Sequence, residues 1–186
     1  CSGLVGSEMC IRDRCYLITG GLGALGLTIA EHLVTAGARH LLLSGRSGAV
    51  SEQQRSTLKR LQANGAEIQV IQADIAKAEE VAGLLTQAKH PLRGVIHAAG
   101  IIDDGMLTQQ TAQRFEKVAA PKVQGAWNLH TQTQERPLDF FVMFSSVASL
   151  MGSTGQANYA TANAFMDGLA HYRKAIGLPA LSINWG

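Results

Sequence analysis

Charge is scarce in this sequence and nowhere concentrated. Sixteen Lys and Arg stand against fourteen Asp and Glu in 186 residues, a formal net charge of +2, with the basic residues scattered rather than run together. A nucleic-acid surface needs a basic stripe or patch, so nucleic acid is not expected as a partner and a small molecule is. Cysteine is confined to Cys1, Cys10 and Cys15, with no C-x-x-C pair, which reads as a reduced, cytoplasmic protein. The six histidines (His32, His40, His90, His97, His130, His171) are dispersed, none at zinc-ligand spacing from a cysteine and none in H-E-x-x-H. No metal is expected. A membrane span requires about 20 consecutive apolar residues. The one long uncharged run, 140–166, holds four Ser, two Thr, two Asn, a Gln and two Gly, too polar for hydrocarbon and suited to the wall of a buried cleft.

What is present is hydrophobic residue (46%) and glycine, 20 of them: enough for one α/β domain with a real core, too little chain for two. Residues 1–14 (CSGLVGSEMCIRDR) lack the order of a signal peptide and any helix or strand period, and are read as an unstructured or foreign leader. Residues 15–186 then alternate apolar runs of strand length (15–19, 40–44, 67–72, 93–98, 139–145, 179–184) with helix-length segments near 24–37, 51–64, 77–89, 107–132 and 157–176. Repeated β-α-β units with near-continuous hydrophobic strands predict a parallel sheet covered by helices on both faces. Right-handed crossovers favour a doubly wound, Rossmann-type fold.

The first strand runs into T19-G-G-L-G-A-L-G26, in which Gly21, Gly23 and Gly26 form G-x-G-x-x-G between a strand and a helix. In that context glycines let backbone approach a pyrophosphate seated at a helix N-terminus; Gly20 and Leu22 belong to the same turn. The second strand ends in S44-G-R46-S47, with arginine and no carboxylate. An arginine pairs with the 2′-phosphate that distinguishes NADP. Asp74, followed by Ile75, is placed either to accept from an adenine amino group or to cap a helix. Ala98, Ala99 and Gly100 end the fourth strand; their smallness fits either passage beneath a nicotinamide or close strand–helix packing.

Q156-A-N-Y-A-T-A-N163 poses a chemical question: a phenol ionises only near pH ~10 unless a cation is close, and none is local to Tyr159. On the helix predicted at 107–132, Lys117 keeps polar company, whereas Lys122 falls in a stripe of Val118, Ala119, Gly125, Ala126 and Leu129. A lysine in an apolar stripe either snorkels out or reaches a partner. Lys122 is therefore the better candidate. Hydride transfer to a carbonyl builds negative charge on oxygen, which a hydroxyl and a proton donor must meet. Ser146 and Tyr159 supply these, with Lys122 favouring the tyrosinate and Asn163, one turn beyond Tyr159, holding Lys122 or a water of a proton relay.

Together TGGLGALG, GRSG, HAAG, PKVQGAWNLH, FSSVAS, GQANYATAN and GLPALSINWG resemble the ketoreductase domain of modular polyketide synthases, within the short-chain dehydrogenase/reductase superfamily; fatty-acid synthase ketoreductases are similar. In most of that superfamily the lysine follows as Y-x-x-x-K, whereas polyketide ketoreductases resemble this sequence in placing asparagine there and lysine on the preceding helix. The resemblance carries catalytic roles onto Lys122, Ser146, Tyr159 and Asn163. It also implies NADPH-dependent reduction of a 3-ketoacyl chain held as a thioester on an acyl carrier protein, beside other synthase domains. Ile102-Asp103-Asp104 is similar to the Leu-Asp-Asp signature of B-type domains, and Met143 is placed where A-type domains carry tryptophan, so Asp104 and Met143 are assigned to stereocontrol and a D-hydroxyl is expected. Such domains continue beyond W185-G186 into a lid and a further strand, so the sequence reads as a domain truncated before both. A non-catalytic nucleotide-binding or structural fragment is the alternative; a free-standing dehydrogenase is disfavoured by the missing Y-x-x-x-K lysine.

Overall fold

The structure, a computed structural model, describes residues 13–48 and 51–186; most of the proposed leader lies outside them. Six strands, Cys15–Thr19 (β1), His40–Gly45 (β2), Glu67–Gln72 (β3), Leu92–His97 (β4), Phe140–Ser146 (β5) and Leu181–Trp185 (β6), form one sheet in the order β3-β2-β1-β4-β5-β6. Every pairing is parallel. The predicted doubly wound sheet is thus the one observed, with its order reversing between β1 and β4. Loops after those two strands diverge to opposite sides and leave a crevice at their carboxyl ends, where this topology takes ligands.

The central strands are buried on both faces because their residues alternate between two cores. Leu17, Leu42, Val95, Phe141 and Met143 point to one side, packed with Val81 and Leu84 of helix Ala78–Thr86 (α3), Leu129 of Gly125–Thr133 (α5) and Met166 and Leu169 of Ala157–Ala175 (α7). Tyr16, Ile18, Leu41, Leu43 and Ile96 point to the other, against Ala30 and Val34 of Ala24–Thr35 (α1) and Leu58 and Leu61 of Glu52–Ala63 (α2). Each fully buried Leu or Ile contributes about 1.5–3 kcal/mol, so these two layers dominate the stability of the fold.

The segment predicted as one helix over 107–132 is broken. A 3₁₀ turn at Leu107–Gln109 precedes Ala112–Ala119 (α4), and a π-helical turn, Ala120–Gln124, joins α4 to α5. Pro121 is the reason: it has no N–H to give and its ring cannot sit over the preceding turn's carbonyl, so the helix widens there. The π turn carries Lys122, only 4% exposed. A short helix, Ala148–Met151 (α6), follows β5.

Candidate active site

Helices α1 and α2 begin in opposite ways. Ser51 caps α2 through a reciprocal box, accepting from the Gln54 N–H while the Gln54 side chain accepts from the Ser51 N–H. Helix α1 has Gly23 at its N-cap and no side-chain cap at all. Its first-turn N–H groups are left for a ligand, and an uncapped helix N-terminus favours an anion.

Above that terminus lies a cavity of about 340 Å³ lined by Gly20, Gly23, Ser44, Arg46, Asp74, Ile75, Ala98, Ala99 and Gly100, with Lys117 and Pro121. Nine of the thirteen residues assigned to the nucleotide are thereby brought together. The other four sit beside it: Gly21 and Gly26 are required for packing, since a Cβ there would meet Ile18 O at 2.7 Å and Gly20 O at 2.4 Å. Leu22 belongs to the core, and Ser47 is exposed on the rim. Gly20, in the cavity wall, is the one of these glycines held at positive φ, +67°, and a Cβ there would lie 2.8 Å from the Ala98 carbonyl. Two observations fit the cavity to a polar, phosphate-bearing ligand: the Ser44 hydroxyl is buried there without a partner, and Arg46 has no ion pair among the described residues. Asp74 does not cap α3, whose N-cap is Lys77; it accepts from the Ala76 N–H at 3.0 Å in a local turn.

A second cavity, about 220 Å³, shares Ala98, Gly100 and Ile101 with the first and is walled by Lys122, Phe144, Ser145, Tyr159 and Trp185. Lys122 donates to the Phe144 carbonyl at 3.1 Å, and its ammonium stands 5.2 Å from the centroid of the Tyr159 ring. Gly100 makes room for it: a Cβ there would lie 3.0 Å from Lys122 Cε. Burial, the largest influence, depresses the lysine pKa to about 8, and the Asp167 carboxylate works in the opposite direction. Asn163 is fully buried; its amide donates to the Tyr159 carbonyl at 2.8 Å, and its Oδ1 has no partner.

The two adjacent serines part company, as the strand period requires. Ser145 lines the cavity and donates to the Asn163 carbonyl at 3.3 Å. Ser146, half-buried at the end of β5, accepts from the Ala148 N–H at 3.2 Å.

Asp103 and Asp104 also divide. Asp103 is held by Arg114 and Lys117 at 2.6 and 2.8 Å, whereas Asp104 is exposed and accepts from Gln156 Nε2 at 3.0 Å. Gly105 N–H to Gly155 O (2.8 Å) and Asn158 Nδ2 to Asp103 O (2.9 Å) dock the same loop on the start of α7, beside Tyr159.

Met143 must be corrected. Its side chain is 0% exposed and packs in the core with Phe141 and Leu17, so it cannot touch a substrate. It lies on the same face of β5 as Ser145 but one step further down the strand, where Met166 and Leu169 of α7 cover it.

One residue escaped the sequence reading. Asp167 accepts from Ser149 Oγ at 2.6 Å, from Asn184 Nδ2 at 3.0 Å and from Ser182 Oγ. Burial pushes its pKa up, but the hydrogen bonds of Ser149, Ser182, Ser145 and Asn184 outweigh this and hold it below the usual value. The signal was there: 159, 163 and 167 recur every four residues along one helix face.

An open parallel sheet with an uncapped glycine turn at its switch point, joined to a cavity holding a buried lysine beside a tyrosine, is the Rossmann-type architecture of the short-chain dehydrogenase/reductase class. The sequence matches the KR domain family over residues 15–186, and the chain belongs to that family, the ketoreductase domains of polyketide synthases. It is 48% identical over 174 residues to the spectinabilin polyketide synthase system protein NorB of Streptomyces orinoci, covering 91% of this chain and 8% of that protein. It is 45% identical over 180 residues to the Mycobacterium tuberculosis protein named "Putative inactive phenolphthiocerol synthesis polyketide synthase type I Pks1", covering 95% of this chain and 11% of that protein. A structure of A-type ketoreductases from a modular polyketide synthase superposes with a TM-score of 0.90 at 36% identity, over 94% of this chain and 38% of that one. The chain therefore spans a small part of the relatives it matches. No helix among the described residues is long and apolar enough to cross a membrane.

Proposed function

We propose that the chain is the nucleotide-binding and catalytic part of a domain that reduces a 3-ketoacyl thioester on an acyl carrier protein, using NADPH, to the 3-hydroxyacyl thioester. The observation that carries this reading is the placement of the Lys122 ammonium 5.2 Å from the Tyr159 ring centroid, in a cavity that shares three wall residues with the nucleotide cavity. A nicotinamide bound across Ala98–Gly100 would supply the hydride. The protein's own part is to manage the proton. Tyr159 donates it to the carbonyl oxygen as charge develops there; Ser146, next to the cavity-lining Ser145 and register partner of the cavity residue Trp185, is assigned a hydrogen bond to the same oxygen; and the Lys122 charge lowers the cost of the resulting phenolate. Asn163 Oδ1, buried and unpaired, is placed to hold a water that restores the proton.

Arg46, in the wall of the nucleotide cavity and without a carboxylate partner among the described residues, supports preference for the 2′-phosphate. Asp104, tethered through Gln156 to the start of the Tyr159 helix, supports a role in orienting the acyl chain, with B-type, D-hydroxyl product. The test is NADPH oxidation with a 3-ketoacyl thioester by a purified protein that carries this domain. Tyr159→Phe should lower turnover by roughly 10²–10⁴-fold, and Arg46→Ala should raise KM for NADPH while leaving NADH unaffected. A wild-type protein that binds NADPH yet reduces nothing would favour the second reading, a nucleotide-binding module without turnover.

A further inference from the structure

At the end of the sheet opposite the cleft, three ligand-bearing side chains meet that are far apart in sequence. His40 opens β2, Glu67 opens β3 as its register partner, and His90 stands just before β4. One Glu67 oxygen, Oε2, lies 3.4 Å from His40 Nδ1 and 3.6 Å from His90 Nε2. All three donor atoms fall within 4.8 Å of one another. Ligands about 2.0–2.2 Å from a tetrahedral zinc ion are about 3.3–3.6 Å from each other, so two of the three edges already have the length that a shared ion would impose.

We infer that His40, Glu67 and His90 form a binding site for a divalent transition-metal ion, zinc by donor type, with water completing the tetrahedron. Two further observations point the same way. His40 Nδ1 is buried and makes no hydrogen bond, a costly state for a ring nitrogen that a metal bond would relieve. The other Glu67 oxygen, Oε1, is held by Lys89 Nζ at 2.7 Å, the outer-shell support that a monodentate carboxylate ligand commonly has. The two imidazoles are stacked, centroids 3.4 Å apart at 20°. Binding therefore turns the half-exposed His90 ring until its lone pair faces the ion.

The site lies at the amino ends of the strands, away from the cleft, so its role is structural. It reaches across β1 to fasten the entry of β4 to β2 and β3. The ion is a clamp on the sheet and takes no part in reduction.

The test is calorimetric titration of the EDTA-treated, dialysed chain with zinc chloride, in a Cys1→Ser, Cys10→Ser background that removes competing thiols. One equivalent should bind and raise the melting temperature. His40→Ala, Glu67→Gln and His90→Ala should each weaken binding at least tenfold. Cobalt(II) added to the Cys1→Ser, Cys10→Ser chain with all three ligands intact provides a measurement that survives a misfolded ligand variant: a tetrahedral visible band without a thiolate charge-transfer band is expected. Absence of binding, binding that persists in the His40→Ala, His90→Ala double variant, or a cobalt spectrum dominated by thiolate would overturn the site. None of these outcomes depends on reductase activity.

Discussion

Asn163 hangs from the residue it serves: its side-chain amide donates to the carbonyl of Tyr159 one turn earlier, at 2.8 Å, and turns its Oδ1 into the protein without a partner. A buried acceptor left unpaired costs about 1–3 kcal/mol, a penalty that a relay water removes. Asn163→Ala therefore loses one hydrogen bond and one penalty together. Melting temperature should change little while kcat falls; a matched loss of both would reduce Asn163 to a structural role.

The pH dependence of Lys122 separates catalysis from stability. With the lysine pKa brought to about 8 by burial and lying near 10.4 in an unfolded chain, the unfolded state binds more protons between those values. Stability should rise with pH across that window, while turnover, which needs the ammonium, falls from about pH 8. Urea denaturation and kcat profiles run in parallel should move in opposite directions above pH 8, and Lys122→Met should flatten the stability trend.

Asp167 raises the pKa of Lys122 and gathers Ser149, Ser182 and Asn184 behind the turn that carries Ser146. Asp167→Asn keeps its size and removes its charge. The alkaline limb of the turnover profile should move to lower pH; a lower melting temperature with an unmoved limb would mean that Asp167 only braces the turn.

Gly20 and Gly23 should fail differently. A Cβ on Gly20 would lie 2.8 Å from Ala98 backbone atoms at a φ of +67°, so Gly20→Ala should destabilise the fold by about 1–3 kcal/mol. Gly23 has only the Gly20 carbonyl at 3.3 Å and lines the cavity. Gly23→Ala should leave the melting temperature nearly unchanged while weakening NADPH binding, measured by nucleotide fluorescence.

His97 is buried, bonded to Thr19 Oγ1 at 2.7 Å through Nδ1, and its pKa is pushed down to about 3, first by burial and then by the Lys122 charge. The unfolded chain takes up this proton near pH 6.5, so stability should fall as pH drops from about 6.5 toward 3. His97→Gln should shallow that decline in acid denaturation monitored by circular dichroism, whatever its effect at neutral pH.

Much of this was local enough to read along the chain. β1, buried on both faces, is bounded as its continuous apolar run predicts, and β3, a partly exposed edge strand, also keeps the predicted bounds of 67–72. The helix after β3 is shorter than predicted, ending at Thr86, and the helix predicted over 107–132 is interrupted at Pro121. That interruption is physical information in its own right, since the π turn is what sets Lys122 inward. Placing Lys122 in an apolar stripe was sound; that the stripe faces Tyr159 required α5 and α7 to pack on the same side of the sheet. Met143, assigned through the resemblance alone, is sealed in the core beneath α7, a depth that only the packing of helix on sheet decides.

The sequence by itself determined the alternation of strands and helices, the glycine turn with its uncapped helix, and the residue types able to move a proton, since each depends on neighbours within a few positions. The tertiary structure alone decided that Gly20 lines the cavity while Gly21 packs against Ile18 and Leu43, that Ser145 rather than Ser146 lines the inner cavity, that Asp167 stands behind the lysine, and that His40 and His90 meet at Glu67. Those relations cross strands and helices, and they are set by how two cores close around the sheet.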